Sequence, residues 1–314
     1  MIMFYSLILL ILLFITLGWA AGFAVRKIRF VASILKIKLF GLGIILGIIT
    51  TLPELAIGIN AIIEDTPALS IGNILGGIIV LLGLIIGGSL LLNYKIKTVK
   101  SLSSLIPSAI VISLPLFLGL DGKFSSLDGL IMIFSYVVLL IYLYFVNYSF
   151  NNSQESLINK NGALKAILLS FVSVIVIIIA SRWIVEITTN LLRDAKIDGM
   201  LVGLLLFPIG TNLPEITIML ASWKAKVAEL SLSHIISAAF THTLILGLLA
   251  VMGPMNFIVS ASYYFLIFFV IAILLLTIKF CYSNKSLSRK EGYVLLSVYV
   301  VFVLTNIILA KFPI

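Results

Sequence analysis

Long apolar runs separated by short polar links make up almost the whole chain. Ten can be delimited: Met3–Val25, Gly41–Ile63, Ala68–Leu92, Leu102–Leu120, Leu127–Val146, Ala163–Ile187, Met200–Ala221, Val227–Met252, Phe257–Ile278 and Gly292–Ala310. Each is long enough to cross a bilayer as a helix, for which about 20 apolar residues suffice. Lipid tolerates only helices or closed barrels. None of the runs shows the period-two alternation of a barrel strand, so all ten are predicted to be helical. The main polar stretch, Asn147–Gly162, separates the fifth run from the sixth. It divides the chain into residues 1–146, a linker over 147–162, and residues 163–314. Five crossings per half is an odd number, so the second half enters the membrane from the opposite face. Two related halves would then form an inverted repeat, a common plan of secondary transporters. The expected fold class is an all-α integral membrane protein with ten transmembrane helices in two inverted five-helix repeats.

Composition narrows the function classes. Of 314 residues, 62% are hydrophobic and 11% charged, against about 45–50% and 25% in soluble domains. Soluble enzymes, nucleic-acid binders and secreted disulfide scaffolds are thereby set aside, and the lone Cys281 allows no internal disulfide. The net charge of +9 would suggest a nucleic-acid partner in a soluble chain; here the basic residues report topology. Sixteen of the 21 fall in links after odd-numbered runs or just at their edge, among them Arg26, Lys27 and Arg29, Lys95 and Lys97, Lys165, Lys224, Lys285 and Lys290. Lys123, Arg182, Arg193, Lys196 and Lys311 lie on the other side. The basic side should be cytoplasmic, which predicts a cell-membrane protein with both termini outside. The first run has no basic segment before it and three basic residues after it, unlike a cleaved signal peptide.

The chemistry lies in a repeat. The second run contains Thr50-Thr51-Leu52-Pro53-Glu54 and the seventh Thr211-Asn212-Leu213-Pro214-Glu215, 161 positions apart. The same offset aligns Ile48 with Ile209, Ile57 with Ile218, Ser70 with Ser231 and Ile74 with Ile235. Proline inside a span removes a backbone donor and disrupts the preceding turn, which should free carbonyls there to face a cation. Thr50, Thr51, Thr211 and Asn212 add side-chain oxygens. An ionised carboxylate near mid-span costs at least about 2.5 kcal/mol, and such acids usually face a polar cavity and serve ions or protons. A kinked helix with a protonated glutamate would account for one motif. Two of them, at equivalent places in opposed halves, point to a cation site.

With these motifs the sequence resembles the cation/calcium exchanger superfamily, best known for sodium/calcium exchangers, whose members have ten helices in two inverted halves. The family signature in helices 2 and 7 is similar to Gly-Thr/Ser-Ser-Leu-Pro-Glu. Gly210–Glu215 is a close match, whereas Ile49–Glu54 lacks the glycine. The resemblance implies that Glu54 and Glu215 are the central cation ligands, with oxygens from Thr50, Thr51, Thr211 and Asn212 beside them. In the following helix the family pattern resembles Gly-Asn-x-x-Gly-Ser, with an Asn or Asp four residues on. Gly72-Asn73 and Gly76 agree, and Asn73 is a further candidate ligand. Gly77 then stands where the family has Ser, and Leu81 where it has Asn or Asp. In the eighth run Ser233-His234 replaces Gly-Asn, Ser237-Ala238 replaces Gly-Ser, and His242 takes the acid or amide position.

Sodium and calcium want oxygen ligands. Leu81 removes one, and His242 substitutes a nitrogen that can also carry a proton. The expected function is therefore secondary antiport of calcium, or another divalent cation, against sodium. A proton-coupled or sodium-independent exchanger and a transport-inactive relative are the alternatives. The expected partners are inorganic cations and the bilayer, with no cofactor beyond the transported ions. No metal-spaced Cys/His cluster, phosphate-binding loop or HExxH spacing points to an enzyme. Arg182 and Glu186, four apart, are expected to pair, and Trp19, Trp183 and Trp223 to anchor or pack near the interface.

Overall fold

The computed structural model describes residues 2–34, 47–93, 96–97, 102–147, 162–195, 199–216, 232–283 and 286–311. The protein is helical, as the apolar runs require. In chain order, α1 is Ile2–Ile34, α2 Leu52–Ile63 and α3 Pro67–Ile79. α3 passes through a π-helical stretch, Val80–Ile86, into α4, Gly87–Asn93. Then come α5 Leu102–Leu118, α6 Ser126–Asn147 and α7 Ala163–Ala195. The broken pair α8 Gly199–Leu205 and α9 Phe207–Thr211 follows. Last are α10 Leu232–Met252, α11 Ala261–Ser283 and α12 Arg289–Lys311.

Among the described residues, eight helices are long and apolar enough to cross a membrane. They correspond to eight of the ten expected spans. The other two, Gly41–Ile63 and Met200–Ala221, are seen only in part, because residues 41–46 and 217–221 lie outside the described set. What is described of them forms the shorter apolar helices Leu52–Ile63 and Gly199–Thr211.

The α3–α4 run and α10 are the most enclosed helices, whereas α6, α7 and α12 turn much of their surface outward. α1 and α7, each 33 residues long and starting 161 positions apart, pack along one another through Leu13, Leu17, Ala20 and Ala21 against Ile177, Ala180 and Ile184. Their other faces expose Leu12, Ile15 and Trp19, and Phe171, Ile175 and Trp183, the distribution expected of lipid-facing helices. Trp19 stacks on Phe23 at 5.5 Å. The expected Arg182–Glu186 ion pair is not among the ion pairs of the described residues. Both side chains are exposed on α7, and a base N-terminal to an acid is the weaker order on a helix.

Two short strand pairs tie the links together. β1 (Ile96–Lys97) pairs antiparallel with β4 (Ser286–Leu287), and β2 (Lys123–Phe124) with β3 (Met255–Asn256). After β2, Ser125 N–H and hydroxyl donate to Asp128 Oδ2 at 2.8 and 2.6 Å, and Asp128 N–H donates back to Ser125 Oγ at 3.3 Å. This is a capping box opening α6. After β4, Ser288 N–H donates to Glu291 Oε2 at 2.8 Å, which opens α12 in the same way.

Where the helices cross, glycine lets backbones touch. A Cβ on Gly129 of α6 would lie 2.7 Å from Gly247 O of α10, and one on Gly292 of α12 would lie 3.0 Å from Gly87 O of α4. Pro115, inside α5, has no N–H for the Val111 carbonyl one turn earlier. Thr243 Oγ1 of α10 donates to that carbonyl at 2.9 Å, which satisfies it inside the bundle and fixes the stretch of α10 that carries His242.

Candidate functional site

The two Leu-Pro-Glu motifs produce the same local backbone. Thr51 leaves helical geometry at φ −93°, ψ 6°, and Leu52–Ile63 begins after it with Pro53 in its first turn. Asn212 does the same at φ −89°, ψ 17°, and residues 213–216 resume the helix. Backbone bonds bracket each break alike: Thr51 N to Gly47 O and Leu55 N to Thr51 O, then Asn212 N to Pro208 O and Ile216 N to Asn212 O. One residue per motif thus sits between α and bridge conformations, with the proline just beyond it.

All eight candidate residues are buried: Thr50, Thr51, Glu54, Asn73, Thr211, Asn212, Glu215 and His242 are each at most 2% exposed. The fold brings most of them together across the two halves. Thr50 and Glu54 of the first motif lie near enough to Glu215 of the second to act on its carboxyl electrostatically. Thr211 Oγ1 donates to Asn73 Oδ1 at 3.2 Å. His242 Nε2 is 3.7 Å from Glu54 Oε1. The candidates thus come from both broken helices, α3 and α10.

The remaining bonds show how oxygens stay available. Thr50 and Thr51 hydroxyls donate to Gly47 O, each at 3.1 Å, and Asn212 Nδ2 donates to Pro208 O at 2.9 Å. Each side chain spends its donor on its own helix and keeps acceptor lone pairs. Oε2 of Glu54, Oε2 of Glu215, Asn73 Nδ2 and both ring nitrogens of His242 have no hydrogen-bond partner. Buried polar atoms are rarely left so, and here they concentrate around two carboxylates.

Leu81 is buried in the π-helical stretch and supplies no polar atom. Gly77 packs against the His242 ring, since a Cβ there would lie 2.6 Å from Cε1. The glycine in place of the family serine therefore makes room for the imidazole. His234 lies on α10, but its side chain, like Trp223, falls outside the described residues. Thr241 and Ser237 were not singled out by the motif as ligands, yet both lie close to Gly47, where a Cβ would be 3.3 and 3.1 Å from their hydroxyl oxygens. Thr241 faces Val80 at the repeat offset, so repeat comparison is blind to it.

The family model described as sodium/calcium exchanger protein matches residues 5–145 and 165–308. The chain belongs to the sodium/calcium exchanger family. It is 26% identical over 364 aligned residues to the sodium/calcium exchanger MaX1 of Methanosarcina acetivorans, covering 95% of this chain and 97% of that one. Among solved structures it is similar to the sodium-calcium exchanger NCX_Mj, at TM-score 0.68 and 20% identity over 96% of this chain and 98% of that one. It is also similar to an H+/Ca2+ exchanger, CAX, at TM-score 0.73 and 15% identity over 98% and 86%. At these identities the two structures establish shared fold. Family membership makes the chain a helical membrane transporter of the cation-exchanging kind, as the two motifs led one to expect.

Proposed function

We propose that the chain is a secondary active antiporter that exchanges calcium, or another divalent cation, for sodium at a midplane site built by its two Leu-Pro-Glu motifs. What supports this reading is the nearness of the motifs: Thr50 and Glu54 of one act electrostatically on Glu215 of the other, and all three side chains are buried. Two ionised carboxylates there would repel, and a divalent cation between them would offset both that repulsion and the cost of burying the charges. Sodium ions compete for the same oxygens, so loading by one species displaces the other. The broken helices give the site backbone that can shift without unwinding a whole span.

The proposal includes ten crossings in two inverted halves, residues 1–146 and 163–314, joined by the linker 147–162. Strand pairing supports the count. β2 and β3 lie on one face, so the chain between them crosses an even number of times. The long helices between them are α6, α7 and α10, an odd number, and parity is restored only if residues 199–216 belong to a crossing. A Cβ on Gly162, at the start of α7, would lie 3.2 Å from the Phe30 ring near the end of α1. Between those residues the long helices are also three, which calls for a crossing that includes Leu52–Ile63. The family match in two blocks, one per half, supports the same division. So does the exchange relation of the clasps, since β1 with β4 maps onto β3 with β2 when the halves are swapped.

A second reading, sodium-independent or proton-coupled exchange, draws on Gly77, Leu81 and His242, which replace oxygen-bearing side chains of the family pattern. Uptake of labelled calcium into proteoliposomes, driven in turn by a sodium and a proton gradient, tests both. Sodium-driven uptake is expected. Proton-driven uptake indifferent to sodium favours the second reading, and no uptake under either gradient overturns antiport of calcium.

A further inference from the structure

Among the described side chains, His242 is the one imidazole set against the carboxylates of an otherwise oxygen-lined site. It is 1% exposed, both of its ring nitrogens lack hydrogen-bond partners, and Nε2 stands 3.7 Å from Glu54 Oε1. That separation is too long for a hydrogen bond. It is within the gap that two ligands of one ion can bridge with bonds of about 2.1 Å. The ring has a slot made for it: a Cβ at Gly77 would lie 2.6 Å from Cε1, 3.3 Å from Nδ1 and 3.4 Å from Nε2. Thr243, the next residue, is held by its bond to Val111 O across to α5, so the imidazole is placed by the fold.

We infer that the site takes a borderline divalent transition-metal ion of the cobalt, nickel or zinc class as cargo in preference to calcium, with His242 Nε2 and the Glu54 carboxylate as a nitrogen–oxygen pair of ligands. The inference rests on the antiport reading and names the cargo of that same site. Calcium is a hard ion that takes oxygen ligands; imidazole suits zinc, copper, iron and nickel, and affinity at mixed nitrogen–oxygen sites rises from manganese toward copper. Replacing an amide or acid by histidine therefore withdraws a calcium ligand and supplies one for these metals. Among the described residues no group of three or more His, Cys, Asp or Glu side chains forms a metal-holding cluster. Two strong ligands, with hydroxyls and Glu215 nearby, make a site that binds and still releases, which transport demands.

The purified protein is titrated with Co2+, read by its visible ligand-field bands, and Ni2+, Zn2+ and Ca2+ are then used as competitors. Uptake of Zn2+ and Ca2+ is measured in proteoliposomes alongside. The wild type is expected to bind Co2+ at least tenfold more tightly than Ca2+, and His242→Asn to lower that ratio at least tenfold and change the band shape. Gly77→Ala, which crowds the ring without removing it, is expected to shift the ratio the same way. A wild type that prefers Ca2+, or a His242→Asn protein with unchanged bands and ratio, overturns the inference. Calcium flux indifferent to His242→Asn does so too and leaves the antiport reading standing, whereas no flux of any divalent ion overturns both.

Discussion

Glu54 and Glu215 occupy equivalent places, but their neighbours differ. Glu215 has the Thr50 hydroxyl beside it, and Glu54 has the His242 ring. Each keeps one carboxylate oxygen without a partner. Glutamine at either position conserves shape but offers one acceptor oxygen and no charge, so a divalent ion would face one carboxylate where it had two. We expect Glu54→Gln and Glu215→Gln each to abolish divalent transport, with at least a hundredfold loss of initial uptake rate in proteoliposomes. Both proteins should remain folded and monodisperse in detergent, because the amide also relieves the repulsion between the acids. Undiminished flux in both would remove the glutamates from the site. The acids were legible from the repeat alone, since a buried glutamate after Leu-Pro stands twice at one offset. The partners of His242 were not: Gly77 and Glu54 lie far from it in sequence, and only the packing of α3 and α10 shows that the missing serine and the added imidazole are one exchange of volume.

The helices are held where short signals concentrate. Ser125 with Asp128 and Ser288 with Glu291 open α6 and α12 directly after a clasp strand, and the glycines that follow, Gly129 and Gly292, bring those helices against α10 and α4. Loss of an N-cap side chain costs about 1 kcal/mol. Ser125→Ala and Ser288→Ala are each expected to lower thermal stability in detergent by a similar amount, a few degrees of melting temperature, because they act at equivalent joints. Unequal shifts, one large and one absent, would count against that equivalence. Gly129→Leu and Gly292→Leu should do more, since even a Cβ meets backbone or side-chain atoms at 2.7 Å. Reduced yield of folded protein in size-exclusion chromatography is the measurement. The spans were readable from hydrophobic runs, but the strands were not. Two-residue pairings such as Lys123–Phe124 with Met255–Asn256 carry no alternation long enough to detect, and the π-helical stretch Val80–Ile86 reads as any apolar helix. The Arg182–Glu186 pair, readable by spacing, does not form because spacing says nothing of what an exposed side chain gains by leaving water.

The two strand clasps also constrain how the chain is threaded through the bilayer. The β1–β4 clasp joins links that carry Lys97 and Lys285, on the side rich in basic residues, while the β2–β3 clasp carries Lys123 on the side that is poor in them. Positive charge is retained in the cytoplasm, so the first clasp should face inward and the second outward, with both termini on the outer side. The structure supplies a means of testing this away from the termini. Lys123 and Lys290 are both exposed, and the single cysteine, Cys281, is buried and can be replaced by alanine to give a silent background. In intact cells a membrane-impermeant maleimide is expected to label Lys123→Cys and to leave Lys290→Cys unlabelled until the membrane is opened. The reverse pattern would invert the orientation while preserving the ten-crossing count, since both clasps would simply change sides together. Labelling of both positions from outside would break the parity argument itself. It would put the links before α6 and α12 on one face, and the two halves could not then be inverted with respect to one another.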